Sequence, residues 1–277
     1  MLIQLDAAQV VDLIDGHNEL RDLLRGHQCA ISSSVVLDLI RKTDRRSKNY
    51  YAAFAGLTEL WSMDGGMVCN AEIESGVQIL ADGRDTRTEL ERSFPFRTSL
   101  FDAIAVRIGE AVPAEFASKG FGDLMTAPLA RLIMQGMTST YGAERMDYWR
   151  SSLEAAVAAD GPDLRASLRH RATQLCSPEL CGVIDDAEMA TLRRLFPAFL
   201  LGGELRRTFK ADRKSRWTNN DIVDIFHIII SPYCDAMFCD GPTYGRLTRL
   251  QNRFGDRRTD YVPNIDAKAY LRANPAV

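Results

Sequence analysis

The chain has 277 residues, 46% of them apolar and 26% charged, with a formal net charge of −3. That length holds one large core or two modest ones, and the composition excludes both a disordered chain and a membrane-embedded one. A slightly acidic chain has no global attraction for nucleic acid, so any such contact has to come from local patches.

The opening MLIQLDAAQVVDLID carries charges within an apolar stretch and no basic leader, which predicts no secretory signal and a cytoplasmic protein. Apolar positions at Leu5, Val10, Val11, Leu13, Ile14, Leu20, Leu23 and Leu24 predict one or two short helices, broken near Gly16 and closed at Gly26. QCAISSSVVLDLIRK then starts as a strand, turns polar at Ser32 to Ser34 and resumes with helical spacing. A helix is predicted from Tyr50 to Trp61, with GGMV as a break and as the entry to the helical stretch NAEIESGVQIL.

From about Asp82 to Ser215 the patterns are mostly helical, as in LFDAIAVRIGEAV and AEMATLRRLFPAFLLGG, and they show no internal repeat. The last part predicts a helix from Asp221 to about Ile230, a Ser-Pro-Tyr turn, a strand in YCDAMFCD, a helix in PTYGRLTRLQNRF and a short strand near DYVP. Two α/β ends around a helical middle predict one sheet whose strands come from both ends of the chain. The apolar runs IFHIII and LFPAFLLGG fall well short of the roughly 20 residues needed to cross a bilayer.

Cysteines at 29, 69, 176, 181, 234 and 239 lack the close two-residue spacing of zinc knuckles and redox motifs, which predicts reduced, mostly buried thiols. Two basic segments, RKTDRRSK from Arg41 to Lys48 and ELRRTFKADRKSRW from Glu204 to Trp217, read either as solvated faces or as a track for phosphates.

In NNDIVDIFHIIISPYCDAMFCDGP, a helix beginning at Asp221 descends about 15 Å in ten residues. A strand of six residues after Pro232 climbs back roughly 20 Å. Asp240 thus returns to the level of Asp221 and Asp224, which share a helix face, while Asp235 falls at the opposite end and reads as structural. The acidic residues either cap the ends of these elements or converge on a divalent cation, for which oxygen ligands favour Mg²⁺ or Mn²⁺.

NDIVDIFH and MFCDGPTYGRL together resemble the C-terminal signature of PIN-domain-like nucleases, in which one acidic residue opens a helix and another follows a strand. AEIESG, from Ala71 to Gly76, is similar to the family's helical glutamate motif and sets Glu72 in that role. AISSSVVLDLI occupies the place of the first strand, where Ser32 stands at the position of the usual aspartate. A serine hydroxyl there can touch a water or the substrate but supplies no charge.

The resemblance covers residues 27–80 and 216–265. It implies a three-layer α/β/α fold with a parallel sheet and metal-dependent hydrolysis of phosphodiesters, RNA first. Mg²⁺ or Mn²⁺ would be held by Glu72, Asp224 and Asp240, with Asp221 as a further ligand and His227 either facing the site or packed beside it. The expected organisation is an N-terminal helical segment at 1–26, a PIN-like domain in two parts at 27–81 and 216–277, and a helical insertion at 82–215. The expected partner is nucleic acid and no membrane, with homo-oligomer formation left open. Two other readings stay open, namely a non-catalytic PIN-like module that binds nucleic acid or protein, and a mainly helical interaction protein whose acids only cap helices.

Overall fold

The computed structural model describes residues 1–32, 34–35, 60–63, 65–83, 98–99, 147, 150–151, 163–212, 219–254 and 259–276. The basic segment at 41–48, the expected helix as far as residue 59 and much of the expected helical middle lie outside the described residues. In chain order the principal elements are β1 (Leu2–Gln4), α1 (Ala7–Ile14), α2 (Asn18–Leu24), β2 (Gln28–Ser32), β3 (Leu60–Met63), α3 (Gly65–Ala81) and β4 (Thr98–Ser99). Then come α4 (Leu164–Leu175), α5 (Pro178–Cys181), α6 (Val183–Asp186), α7 (Met189–Leu195), α8 (Pro197–Asp212) and α9 (Asn219–Ile228). A 3-10 turn (Ser231–Tyr233) leads into β5 (Ala236–Cys239), α10 (Gly241–Phe254), β6 (Asp260–Pro263), a second 3-10 turn (Asn264–Asp266) and α11 (Ala267–Ala273).

The strands form one sheet in the order β4-β3-β2-β1-β5-β6. All neighbours run parallel except β4, which pairs antiparallel with β3. The protein is therefore α/β with a mainly parallel sheet. Strands from the beginning and the end of the chain pair through Ile3↔Ala236 and Gln4↔Met237, which excludes a mainly helical scaffold. Every residue of β1 and of β5 is buried, as expected where both faces of a parallel strand are covered and the sequence reads as an unbroken apolar run.

Two local expectations are corrected and a third is sharpened. The opening residues are not wholly helical, because Leu2–Gln4 form β1, with β2 on one side and β5 on the other. Leu60 and Trp61 belong to β3, not to a helix. GGMV is the entry into the helix, as expected, and already its first turn; a side chain at Gly65 would run into the Phe226 carbonyl and Ile229. By contrast, the breaks near Gly16 and Gly26 are real: both glycines have positive φ, 82° and 88°, which residues with a Cβ rarely adopt.

The chain divides into two units, Met1–Met63 with Arg97–Asp147 and Cys234–Val277, and Asp64–Phe96 with Tyr148–Tyr233. The first holds the whole sheet. There Asp235 ties the start of β5 to both its neighbours: its Oδ2 accepts the Leu2 amide at 2.7 Å, its own amide donates to Leu2 at 2.8 Å, and its carbonyl accepts from Asp260 at 2.9 Å. Glu19 of α2 is bridged by Lys268 and Arg272 of α11.

The second unit is helical and packs around Phe196, with Ile73, Val77, Leu168, Ile184, Leu192 and Leu195 in the same buried cluster. Gly76 lets α3 approach the Phe196 ring, since a Cβ there would overlap it. None of the six cysteines is in a disulfide, and Cys29, Cys181, Cys234 and Cys239 are buried. No helix among the described residues is long and apolar enough to cross a membrane.

Candidate functional site

In an open parallel sheet, ligands bind beyond the carboxyl ends of the strands, where the strand order reverses direction. Chain order runs outward from β1 through β2 and β3 on one side and through β5 and β6 on the other, so the reversal lies between β1 and β5. Each of these strands is followed by an aspartate. Asp6 comes two residues after β1 and Asp240 directly after β5.

Asp6 is still extended, at φ −78° and ψ 165°, and it opens α1 as the N-cap of a capping box with Gln9. Its Oδ1 accepts the Ala7 amide at 2.7 Å, and Gln9 Oε1 accepts the Asp6 amide at 3.2 Å. Its other oxygen, Oδ2, accepts the side-chain amide of Asn264 at 2.7 Å. Asn264 follows β6, so this bond reaches across the end of β5 to the end of β1. Asp240 is exposed and caps α10, its Oδ1 accepting the Thr243 amide at 2.8 Å.

Cys239, the last residue of β5, reports the electrostatics beneath this edge. Burial foremost, and then the nearby Asp6 and Asp240 carboxylates, push its thiol up to about 12. The two carboxylates follow adjacent parallel strands, β1 and β5. Asn264 Oδ1 is buried and has no hydrogen-bond partner among the described residues. Carboxylate oxygens such as those of Asp6 and Asp240 are hard donors of the type that Mg²⁺ or Mn²⁺ takes.

Ser32 ends β2, not the first strand. It is fully buried, and its hydroxyl shares a 2.7 Å hydrogen bond with Ser34 and accepts the Val35 amide at 3.2 Å. The assignment of Ser32 to the first-strand position is corrected: β1 precedes it, and the acid at the end of that strand is Asp6. Sequence reasoning missed Asp6 because a three-residue strand was absorbed into the helical pattern that follows it. A usable signal was present in the short apolar run LIQL, closed by Asp6 with Gln9 three residues on, as in a capping box.

The other predicted site residues belong to the helical unit. Glu72, on α3, is 1% exposed. Its Oε2 accepts the Ala198 amide and its Oε1 the Phe199 amide, each at 2.8 Å, and the Tyr233 hydroxyl also donates to Oε2. Glu72 thus closes the start of α8, where unpaired amides and the helix dipole favour negative charge. Asp221 is buried in the first turn of α9. Asp224 is half-buried on the same helix, and His227 is buried in its last turn.

Within the sheet unit, then, the structure joins Asn264 to Asp6 by a hydrogen bond and sets Asp240 at the end of the neighbouring strand; of these three only Asp240 was foreseen. Among the described residues no group of three or more His, Cys, Asp and Glu side chains is assembled that could hold a metal ion. A cation at the sheet edge would rest on two carboxylates and neutral oxygens. No protein family, curated protein or solved structure matches the chain.

Proposed function

We propose that the chain is a PIN-like, metal-dependent nuclease that hydrolyses phosphodiester bonds in RNA, with its centre at the carboxyl edge of β1 and β5. The observation that carries this reading is the placement of Asp6 and Asp240 after the adjacent strands β1 and β5, at the point where the strand order reverses. Asp6 supplies the charge that Ser32 lacks. Mg²⁺ or Mn²⁺ bound there would hold phosphate oxygens, activate a water and stabilise charge on the leaving oxygen.

The chain's own part is positional. Asp6 and Asp240 are fixed by the amides of Ala7 and Thr243, so neither carboxylate has to be ordered when the substrate arrives. Each carboxylate oxygen accepts up to two partners, which leaves capacity beyond the helix caps. In the helical unit Glu72 gives its two oxygens to the Ala198 and Phe199 amides of α8.

The test uses Asp6→Asn and Asp240→Asn, because asparagine caps a helix as well as aspartate does while removing the charge. With single-stranded RNA, the wild type should cleave in Mn²⁺ and not in excess chelator. Each variant should lose about a hundredfold of that rate; Asp240→Asn should keep its melting temperature in chelator, while Asp6→Asn, which turns an acceptor facing Asn264 into a donor, is assayed below its own melting temperature. Absence of cleavage by the wild type, or full rates in both variants, overturns the reading. Retention of RNA in a gel shift without cleavage would favour a non-catalytic binding module, the alternative to which the fully engaged Glu72 carboxylate points.

A further inference from the structure

We infer that Cys176 and Cys181 form a redox-modified pair: an oxidant of the hydroperoxide class converts them to an intramolecular disulfide that staples the corner between α4 and α5, and a thiol reductant opens it again. The inference stands on the helical unit alone and does not depend on the nuclease reading. Three observations carry it.

The first is position. Cys176 closes α4 as its C-cap, its amide donating to the Ala172 carbonyl at 2.8 Å. Ser177 then opens α5 as the N-cap, extended at φ −67° and ψ 139°, with Pro178 as the first helical residue and Cys181 as the fourth. The residue before an N-cap and the fourth residue of the helix turn toward each other across the first turn, the pairing known as a hydrophobic staple. Cys234 and Cys239 have the same spacing in the chain but lie at opposite ends of β5. There the residues from Ala236 to Cys239 already rise about 10 Å, beyond the Cα separation that a disulfide spans.

The second is contact. Cys181 Sγ donates to the Ser177 carbonyl at 3.4 Å, so its sulfur lies over the residue next to Cys176. Cys176 in turn packs against the buried cluster to which Cys181 belongs. Burial foremost, and then the Cys181 sulfur, push the Cys176 thiol up, as neighbouring sulfurs do.

The third is a difference in access. Cys176 is half-buried and Cys181 is 1% exposed, so a small oxidant reaches Cys176 first. Its thiolate attacks one peroxide oxygen and the O–O bond breaks; Cys176 becomes a sulfenic acid, and the other oxygen leaves as water with the thiol's proton. The Cys181 thiolate then attacks the Cys176 sulfur. The S–S bond forms, the S–O bond breaks, and the hydroxyl leaves as a second water with the Cys181 proton. The two thiols lose two electrons, and the peroxide takes them. Burial pushes the Cys181 thiol up, and the Arg169 cation counters it, which eases the second step.

The experiment treats the reduced full chain with hydrogen peroxide under native conditions, blocks the remaining thiols with an alkylating agent and digests the denatured product with a protease that cuts after glutamate. Cleavage at Glu179 falls between the two cysteines, so a disulfide holds the two fragments together in the mass spectrum until a thiol reductant parts them. The oxidised chain should weigh two hydrogens less than the reduced one, with Cys176–Cys181 as its predominant linkage. It should also melt higher, because the cross-link restricts the unfolded state, and reductant should restore the lower melting temperature. Cys181→Ala should let Cys176 run on to the sulfinic acid, and Cys176→Ala should leave Cys181 a thiol at the same peroxide dose.

Four results overturn the inference: a wild-type pair that stays reduced, a Cys176 that reaches the sulfinic acid while Cys181 is still alkylated, a different predominant pair, or a linked chain that does not melt higher. Each would leave two small apolar side chains filling a staple. Should Cys181→Ala fail to fold, the wild type and Cys176→Ala decide, a Cys181 that oxidises without Cys176 counting against the inference.

Discussion

In the helical unit the Glu72 carboxylate is 1% exposed and both its oxygens accept backbone amides at the start of α8. At the edge of the sheet Asp240 is exposed and a single oxygen accepts the Thr243 amide. Both groups sit at helix N-termini, where negative charge is favoured. They differ in what is left over. A carboxylate sealed among amides and a tyrosine hydroxyl is consumed by the fold, while one at the surface keeps lone pairs for something that arrives from solution. Acidic residues at helix starts are thus ambiguous by type, and burial separates those that build the protein from those able to work for it.

The largest expected effect tests the sealed group. Glu72→Ala strands the amides of Ala198 and Phe199 in a buried setting, and each orphaned donor costs about 1–3 kcal/mol. A loss of roughly 2–6 kcal/mol in urea unfolding is expected. The comparison breaks if Glu72→Ala unfolds like the wild type but cannot cleave RNA, because the carboxylate would then be a ligand and not a structural cap.

Two helical glycines sharpen the contrast. Gly76→Ala drives a methyl group into the Phe196 ring, and overpacking of this kind costs about 1–3 kcal/mol. At Gly245, in α10 of the sheet unit, an added Cβ would meet nothing within 4 Å, so Gly245→Ala should stabilise by roughly 0.5–1 kcal/mol through helix propensity. Chemical denaturation of the pair reads both signs. Equal effects at the two positions would mean that the packing around α3 is looser than the Phe196 contact indicates.

The sequence revealed most where local patterns were long. The helix–turn–strand–helix run from Asp221 to Phe254 is present in α9, the 3-10 turn, β5 and α10, since Pro232 and the apolar run AMFC punctuate it strongly. The expectation that Asp235 is structural also holds, through its bond to the Leu2 amide. β1 was hidden because three residues are too few to display a period, and with it went Asp6. Glu72 was visible as a residue but not in its partners, for Ala198 and Phe199 lie 126 and 127 residues away along the chain. Nor could spacing reveal Asn264, whose bond to Asp6 spans 258 positions. What local chemistry dictates was readable; what tertiary closure brings together was not.

The smallest expected effect lies in the sheet unit, at His27 just before β2. Burial foremost, then the charge of the amino terminus, lowers its pKa from the ordinary 6.5, while a backbone hydrogen bond with Asn274 opposes the shift. The unfolded chain therefore takes up this proton at a higher pH than the folded one does. Stability contributed here is complete above about 6.5 and is lost as pH falls through the lower folded value. Urea midpoints should drop modestly between pH 7.5 and pH 5.5, and His27→Gln should flatten that slope without altering the plateau above neutrality. A slope unchanged by the substitution would assign the acid sensitivity to other groups, and a slope of opposite sign would mean that the imidazolium is welcomed in the fold instead of resisted.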